Sequence, residues 1–485
     1  MEEKGENSFR SILKSSSVFG GIQVFNILVS AVRLKFVALI LGPAGIGVAG
    51  LYNSLSLTLQ QFASLGVNLA VVKETAASRG NTDSLRHILT AVRTLVMFLA
   101  LAGALACLIF PGFLSQLTFG NDRYTGGLRL LSASVFFAVA GGATMSVLQG
   151  MHEVKRLSKA SVIGSLVGLL VGVPMYWIWG TDGIVPAMVA LSFATFAWYW
   201  WSLRQALDCS PAKWSSEVHI PILRRIVMMG LILMSNDLFR NLVNYIVNIY
   251  VRTRGGEVEV GLFSSCNTMT SQYSAIVFTA MAMDYLPRLS AVAGDNRRMC
   301  EVVNRQMEVV GLLICPVVCA VIFLAPWVIR LLQTSEFLAA TPLLRLLALA
   351  VTVRALMYPL GYIVFAKDNR RLFFWMESVG ANILTLTLTC AGYRFLGLDG
   401  LGIAAIADCI ICMAVYILVN RHLYGYRMSA RASLTSTASV AATIAMTAIC
   451  FLSDGSTMII MASSLLTATC IAAILTLRHL LKSRQ

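Results

Sequence analysis

The chain has 485 residues, of which 57% are hydrophobic and 13% charged, and its formal net charge is +15. Soluble domains contain roughly 25% charged residues, so this composition excludes an ordinary soluble protein and indicates a chain whose solvent is lipid. A positive charge of this size also occurs in nucleic-acid-binding proteins, but the basic stripe with interleaved aromatic residues that these carry is not found here, so nucleic acid is not an expected partner.

Apolar stretches long enough to cross a membrane recur from Ser16 to Arg478. An α-helix needs about 20 apolar residues to span the hydrocarbon core, so the predicted fold is an all-α polytopic membrane protein. Tight turns between antiparallel neighbours are predicted near Gly42–Pro43, Thr181–Gly183, Leu398–Gly400 and Ser453–Ser456. About fourteen transmembrane helices are predicted, at residues 16–41, 46–72, 87–109, 126–149, 159–179, 184–203, 222–250, 257–283, 304–330, 340–366, 374–393, 400–420, 434–452 and 457–477.

The Lys and Arg residues between these spans predict the orientation of the chain. Cytoplasmic loops carry an excess of Lys and Arg. Alternate segments hold at least three such cations each, whereas the segments between them hold at most two. Both termini are therefore predicted to be cytoplasmic, and anionic lipid is the expected counterpart of the net charge. The cation-rich segments lie within residues 4–14, 73–86, 155–159, 204–225, 288–305, 367–371, 421–431 and 478–484.

Three short segments of the first half recur in the same order in the second half. Six spans is an even number, so both halves enter the membrane from the same side and form a parallel repeat. The prediction is two six-helix bundles, residues 1–210 and 211–425, followed by two additional transmembrane helices in residues 426–485, with the substrate site between the halves. The matches are Gly50–Ser54 with Gly261–Ser265, Lys155–Leu157 with Arg370–Leu372, and Asp182–Ile184 with Asp399–Leu401, at offsets of 211, 215 and 217.

Polar side chains form stripes along the first two spans of each half. In the first span, steps of three and four residues place Asn26, Ser30 and Arg33 on one helical face. Such stripes must face protein or water when the solvent is lipid, so they are predicted to line one shared cavity. The predicted polar lining is Asn26, Ser30, Asn53, Gln60, Gln61, Asn244, Asn248 and Gln272.

Six cations, among them Lys35, Arg93 and Arg345, fall inside predicted spans; Arg33, Arg240 and Arg354 lie near the middle of theirs. A charged residue at mid-membrane costs at least about 2.5 kcal/mol and marks a functional site. Each arginine either pairs with a carboxylate or carbonyl to hold helices together or binds an anionic ligand, and the planar guanidinium suits phosphate.

Two acidic residues bear on these alternatives. Asp237 lies one turn from Arg240, and Asp408 in the twelfth span is another candidate partner. Three central arginines still outnumber two central aspartates, so the predicted cavity carries surplus positive charge. The sequence leaves both alternatives open.

The stretch from Ser11 to Ser54, with its Gly42–Pro43 turn and the Gly47–Tyr52 start of the second span, resembles the O-antigen flippases of the bacterial polysaccharide transporter family. That family belongs to the multidrug/oligosaccharidyl-lipid/polysaccharide exporter superfamily, with the multidrug extruders and the lipid II flippases. The resemblance implies two six-helix bundles that alternate between inward-open and outward-open states. It also implies an undecaprenyl-pyrophosphate-linked oligosaccharide as substrate, moved from the cytoplasmic to the periplasmic leaflet of the inner membrane for lipopolysaccharide biosynthesis.

The same resemblance implies roles for individual residues. Cationic side chains are expected to hold the pyrophosphate, and this role is transferred by position within the spans to Arg33, Arg240 and Arg354. Asp237 and Asp408 are candidates for proton or sodium coupling. The expected partners are the lipid-linked substrate, membrane lipids, a polysaccharide polymerase and a chain-length regulator; no cofactor or metal is expected.

Three other functions are weighed against a flippase. A multidrug antiporter of the same fold would use buried acids for cationic drugs, but the first span holds Arg33 and Lys35 and no acid. A membrane glycosyltransferase or polymerase would need a large polar outer loop, and the longest outer connection, residues 110–125, is short. Because this loop is short, the protein is predicted not to be an enzyme. A scaffold would have no reason to keep central arginines.

Overall fold

In the computed structural model, which describes residues 2–78, 81–206, 212–453 and 455–482, the chain is helical almost throughout, and no β-strand occurs among these residues. The predicted inner cations Arg79 and Arg484, and Asp454 in the last predicted turn, lie outside them. In the described part, nine helical stretches are long and apolar enough to cross a membrane, or ten if the bent pair Ser216–Leu231 and Ser235–Gln272 is one span. The predicted all-α membrane fold is confirmed at this level, and the count of fourteen stays a prediction.

The α-helices are numbered here in chain order. Two 3-10 segments, Gly180–Gly183 and Ser335–Ala340, and one π-helical segment, Phe374–Ala381, lie between them. The helices are α1 Glu2–Ser64, α2 Val67–Ala77, α3 Thr82–Ile109, α4 Pro111–Phe119, α5 Thr125–Gly150, α6 Val154–Leu170, α7 Gly172–Trp179, α8 Ile184–Ala206, α9 Ser216–Leu233, α10 Ser235–Ala291, α11 Asn296–Leu332, α12 Thr341–Ala366, α13 Arg370–Phe373, α14 Asn382–Tyr424, α15 Ala430–Leu452 and α16 Gly455–Lys482.

The chain forms two compact units, one ending at Val260 and the other beginning at Gly261. In the first unit, α5 packs against α3 and α8, α2 packs against α5 and α9, and α1 packs against α6. In the second, α12 packs against α11 and α14, and the last two helices pack against α11. Met446 on α15 and Ala462 on α16 are fully buried in the same apolar core as α11. The predicted division at residues 210 and 425 stays a prediction.

Several helices are longer than the predicted spans or bent within them. Helix α10 continues to Ala291 and α11 begins at Asn296, so both extend beyond the apolar stretches by about two turns. The added turns carry arginines such as Arg288 and Arg298, which favour water over hydrocarbon. Within the predicted seventh span, α9 and α10 meet at a bend of 53°.

Four glycines interrupt the helices with the left-handed φ that glycine adopts without steric cost. Gly42 in α1 (φ 62°, ψ −173°) and Gly256 in α10 (φ 79°, ψ −176°) have similar backbone angles. Gly180 after α7 (φ 58°, ψ −131°) and Gly397 in α14 (φ 61°, ψ −142°) form a second similar pair. The members of the two pairs are 214 and 217 residues apart, which is close to the offsets of the sequence matches.

The connection after α5 and the connection after α12 share one backbone structure. His152 (φ 59°) and Asp368 (φ 52°) are the left-handed residues that follow each helix end. Five backbone hydrogen bonds recur at an offset of 216 residues, and the Glu153 N–H to Leu148 carbonyl bond (3.0 Å) is one of them. This is the bonding of a Schellman motif, here built without glycine.

Arg345, one of the six cations in predicted spans, is buried in the second unit with 8% of its surface exposed. Its Nε donates to the carbonyl oxygen of Ile322 (3.3 Å) and its Nη1 to that of Cys450 (2.8 Å). Neither oxygen has a helical partner, because Pro326 lacks the N–H that would reach Ile322 and Cys450 lies in the last turn of α15. Arg345 therefore ties α12 to α11 and α15.

Candidate functional site

The polar face of α1 packs against α6 in the first unit. Asn26 Nδ2 donates to Ser161 Oγ (2.7 Å), and Ser165 Oγ donates to Asn26 Oδ1 (2.6 Å). The two serines are four residues apart on one face of α6, so a single amide bridges both. Asn26 thus contacts a helix that the sequence analysis did not include in the site.

Arg33 and Ser30 continue this face beside a cavity of about 230 Å³. Gly168 on α6 makes room for the guanidinium, since a Cβ there would lie 2.6 Å from Arg33 Nη1. Arg33 forms no ion pair with any carboxylate in the part of the chain that the structure describes. A cationic fork among hydroxyl groups is suited to an anion. The lining residues are Val29, Ser30, Arg33, Ser161, Gly164, Ser165 and Leu191.

A second, larger cavity of about 560 Å³ lies next to the first, at the end of the bundle where α5 connects to α6. Ser161 lines both cavities, and Asn26 lines the larger one while it bonds the serines of the smaller one. The two cavities therefore adjoin at Ser161, and Gln149 and His152, at the predicted cytoplasmic side, line the larger one.

Arg240 on α10 forms an ion pair with Asp237, one turn earlier, at 2.9 Å between Nη2 and Oδ1. Both side chains are exposed, by 69% and 55%. Of the two alternatives that the sequence left open for this arginine, the structure contains the pairing with a carboxylate.

Two further residues of the predicted lining lie on α10. Asn244 is half-buried, whereas Asn248 is only 4% exposed. The Oδ1 atom of Asn248 accepts no hydrogen bond from the described residues. A buried carbonyl oxygen without a donor costs about 1–3 kcal/mol, so this amide is suited to a water molecule or a polar ligand group.

The remaining residues of the predicted lining are less tightly held. Gln60 donates to Ser56 Oγ within α1 (2.7 Å). Asn53 is exposed, and Gln61 in the first unit and Gln272 in the second are half-buried. Within the first unit, Asn53, Gln60 and Gln61 do not line the small cavity beside Arg33.

In the second unit, Arg354 on α12 lies within electrostatic range of Asp408 on α14. Thr385, also on α14, donates from Oγ1 to Asp408 Oδ2 (3.1 Å). The sequence made Asp408 a candidate partner of the central arginines, and within the second unit the arginine in its electrostatic range is Arg354. Arg354 itself is exposed.

The sequence analysis missed three residues of these clusters. Ser161 and Ser165 recur at the helical spacing of a polar face, and this signal was visible in the sequence. Glu377 lies in the π-helical segment, and the Tyr416 hydroxyl donates to its Oε2. Such segments occur frequently at functional sites, and their backbone geometry is not readable from residue spacing.

Comparisons with known proteins agree with the sequence resemblance. The family described as "Polysaccharide biosynthesis protein" matches residues 36–342. The chain is 24% identical over 405 residues to the lipid III flippase of Escherichia coli (strain K12), a match covering 80% of this chain and 94% of that protein. The lipid III flippase of Shigella flexneri matches with the same figures.

Two solved structures share the fold. The inward closed conformation of the lipid II flippase MurJ has a TM-score of 0.73 at 13% identity and covers 97% of this chain and 100% of its own. An inward-facing multidrug resistance transporter of the MATE family has a TM-score of 0.65 at 18% identity, covering 86% of this chain and 96% of its own. At these identities the likeness concerns the fold alone.

Proposed function

Because the chain belongs to the family of polysaccharide biosynthesis proteins, we propose that it is a flippase for undecaprenyl-pyrophosphate-linked oligosaccharide, an O-antigen or related surface-glycan repeat unit. It moves this substrate from the cytoplasmic to the periplasmic leaflet by alternating access. The predicted relation to the polysaccharide transporters is confirmed by the family match. The names of the lipid III flippases support a lipid-linked substrate.

The observation that carries the proposal is the setting of Arg33. Its positive charge has no carboxylate partner among the described residues, and Ser30, Ser161 and Ser165 add hydroxyl groups to the same small cavity. Charge-assisted hydrogen bonds from a guanidinium to a phosphate are roughly twice as strong as neutral ones. The cavity suits a phosphate group rather than an oligosaccharide, so the sugars extend beyond it.

Arg240 and Arg354 complete the proposed substrate-binding set. Unlike Arg33, each of them lies near an aspartate. A proton or a sodium ion on Asp237 or Asp408 releases the neighbouring guanidinium to meet the pyrophosphate. These two aspartates are the proposed coupling sites. An inside-negative membrane potential favours outward movement of a negative charge by about 2.3 kcal/mol per 100 mV.

The glycine breaks support fourteen spans in a parallel repeat. If the 40-residue stretch Phe25–Ser64 were one straight helix, it would be about 60 Å long. This is twice the hydrocarbon thickness of roughly 30 Å. A division at Gly42, Gly180, Gly256 and Gly397 gives lengths that fit. The recurrence of these breaks and of the Schellman connection at offsets of 214 to 217 supports two equivalent six-helix bundles within residues 1–210 and 211–425, with residues 426–485 added.

The proposed setting is the bacterial inner membrane with both termini in the cytoplasm, as the distribution of Lys and Arg favours. In this setting the protein transports without catalysing a reaction. A polysaccharide polymerase and a chain-length regulator of lipopolysaccharide biosynthesis are its proposed partners, because they consume the exported repeat unit.

The alternative is a multidrug antiporter, which the MATE-family fold likeness favours. Cationic drugs need an acid that is not already paired with an arginine. In the described residues, Asp237 is in an ion pair and Asp408 faces Arg354. The charges of both units therefore favour an anionic substrate.

The test is flipping by the purified protein in liposomes that contain a labelled undecaprenyl-pyrophosphate oligosaccharide, with exposure of the sugar measured by an external glycosidase. Arg33→Gln removes hydrogen bonds to a charged group worth about 1.5–3 kcal/mol and should slow flipping about 10- to 100-fold. Arg33→Lys keeps the charge and loses the fork, so its rate should lie between. Arg394→Gln, at an exposed arginine of a predicted outer connection, is the matched control.

If Arg33→Gln flips the oligosaccharide at the wild-type rate, and all variants have the same thermal stability, the role of the cavity is refuted. Transport of a cationic dye in the same liposomes, together with no flipping of the oligosaccharide by the wild-type protein, would establish the antiporter instead.

A further inference from the structure

Two arginines flank one tryptophan on the surface of the first unit. The guanidinium carbon of Arg93, on α3, lies 5.9 Å from the ring centroid of Trp200 on α8, and that of Arg204 lies 5.1 Å from it. Both arginine side chains are exposed. Both guanidinium groups therefore lie within about 6 Å of the same indole ring.

Neither arginine has an anionic partner in the described part of the chain. Each contacts Trp200 through a cation–π interaction, and no described carboxylate lies within ion-pair distance of either. Cation–π contacts contribute stability but leave the net charge in place. Arg93 lies six residues inside the predicted third span, residues 87–109, where a charge beside hydrocarbon is favoured by a nearby anion. Among the described residues, the pair therefore has no counter-charge.

An apolar cleft begins at Trp200 and runs between α3, α5 and α8. Its volume is small, about 60 Å³, so an acyl chain would lie along it rather than inside it. Met97, which lines it, is 51% exposed, and two further large apolar side chains on α3 and α8 are also exposed, Phe98 by 69% and Phe193 by 52%. A surface of this kind faces lipid. The cleft is lined by Leu89, Val92, Arg93, Val96, Met97, Ala140, Ala143, Thr144, Val147, Phe196, Trp200 and Leu203.

We propose that this cleft binds one anionic phospholipid, with its phosphate between Arg93 and Arg204 and one acyl chain along α3, α5 and α8. The bilayer provides this anion at the required depth, and basic pockets between transmembrane helices at the cytoplasmic side are suited to such head groups. Trp200 lies three residues before the end of the predicted sixth span, residues 184–203, and tryptophan is enriched at the membrane interface, where span ends lie. The site is separate from the proposed transport of Arg33 and does not depend on it.

The charge favours an anionic over a zwitterionic lipid. The two arginines, which have no carboxylate partner among the described residues, attract the one negative charge of phosphatidylglycerol and balance the two of cardiolipin, whereas the ammonium group of phosphatidylethanolamine adds a third positive charge. A lipid in this position joins α3 to α8 through its head group. Lipid binding at the cleft should therefore raise the stability of the first unit against unfolding.

Native mass spectrometry of the purified full-length protein with added phosphatidylglycerol, cardiolipin or phosphatidylethanolamine tests the site. The double variant Arg93→Gln/Arg204→Gln should lose one tightly bound anionic lipid, with an apparent affinity about thirtyfold weaker for that lipid. Arg254→Gln is the matched control, because Arg254 is also exposed and lies 5.6 Å from the ring centroid of Tyr250. It should bind as the wild type does.

Thermal unfolding gives a second measurement that does not depend on mass spectra. Phosphatidylglycerol should raise the midpoint of the wild type and of Arg254→Gln more than that of the double variant. Equal anionic lipid binding by all three proteins would overturn the proposal, and so would equal binding of phosphatidylethanolamine. Displacement of the lipid by undecaprenyl phosphate but not by a second anionic phospholipid would overturn it as well, because the cleft would then belong to the transport substrate.

Discussion

Gly168 on α6 and Arg33 on α1 meet so closely that the glycine has no space for a side chain. A Cβ at Gly168 would lie 2.6 Å from Arg33 Nη1. The guanidinium therefore takes up its place in the cavity because residue 168 has only a hydrogen there. The contact involves the far end of a flexible side chain, which can move without unfolding the helix pair.

Gly168→Ala should reduce flipping of the lipid-linked oligosaccharide while thermal stability stays within about 0.5 kcal/mol of the wild type, because the methyl group displaces the guanidinium rather than the backbone. Gly172→Ala is the control, since a Cβ at Gly172 would lie 3.8 Å from Ala187 Cβ, in ordinary contact. Liposome flipping and thermal unfolding are the measurements. Equal flipping by the two variants would contradict the importance of the Arg33 position.

Asp237→Asn should change stability by less than about 1 kcal/mol, because the ion pair with Arg240 is exposed. It should also weaken the dependence of flipping on a proton or sodium gradient, because the side chain no longer binds a cation and Arg240 is permanently released. Flipping is measured in liposomes with and without each gradient. Glu301→Gln, which removes an exposed ion pair with Arg297 (3.7 Å), serves as control, and the same gradient dependence in both variants would exclude Asp237 from coupling.

Arg345→Met should destabilise the second unit by about 2–4 kcal/mol, because the carbonyl groups of Ile322 and Cys450 lose their donors inside the protein. The measurement is thermal or denaturant unfolding in detergent. Arg394→Met, at an exposed arginine, should change stability by less than about 0.5 kcal/mol. A similar small effect for Arg345→Met would mean that the two carbonyl groups find water instead.

His152→Gly should raise stability by up to about 1 kcal/mol, because glycine adopts the left-handed backbone at φ 59° without steric cost. Asp368→Gly should gain less, since it also removes the ion pair with Arg370 (2.9 Å), which holds the pKa of the Asp368 carboxyl below its ordinary value. Met151→Gly, at φ −75°, should lower stability. The ranking in thermal unfolding tests the shared geometry of the two connections; equal losses at all three positions would contradict it.

The membrane class, the positions of most helices and the candidate cations could be predicted from the sequence alone. Runs of apolar residues are sufficient for this because hydrocarbon accepts only helices whose backbone bonds are satisfied internally. The turn at Gly42–Pro43 was also visible in the sequence, since glycine and proline mark chain reversals by their own backbone geometry. The spacing of Asp237 and Arg240 along one helix also made their pairing one of the two predicted alternatives.

Contacts between helices could not be predicted in this way. The cavity at Arg33 exists because α6 brings Ser161, Ser165 and Gly168 to α1, and these residues are more than a hundred positions from Arg33. Hydropathy and loop charge do not specify which helices become neighbours. The packing therefore decided which arginines are compensated, because compensation depends on atoms within a few ångströms.

The cations within apolar spans show this division most clearly. The sequence by itself determined that these cations lie in membrane helices. It also determined that each needs an anion or a hydrogen-bond acceptor, because a charged side chain without one is costly inside a membrane. Only the tertiary structure decided their surroundings: carbonyl oxygens bind Arg345, the Trp200 ring contacts Arg93, and Asp408 lies in electrostatic range of Arg354. Arg33 was placed by packing beside a polar cavity, because Gly168 leaves the guanidinium room to enter it.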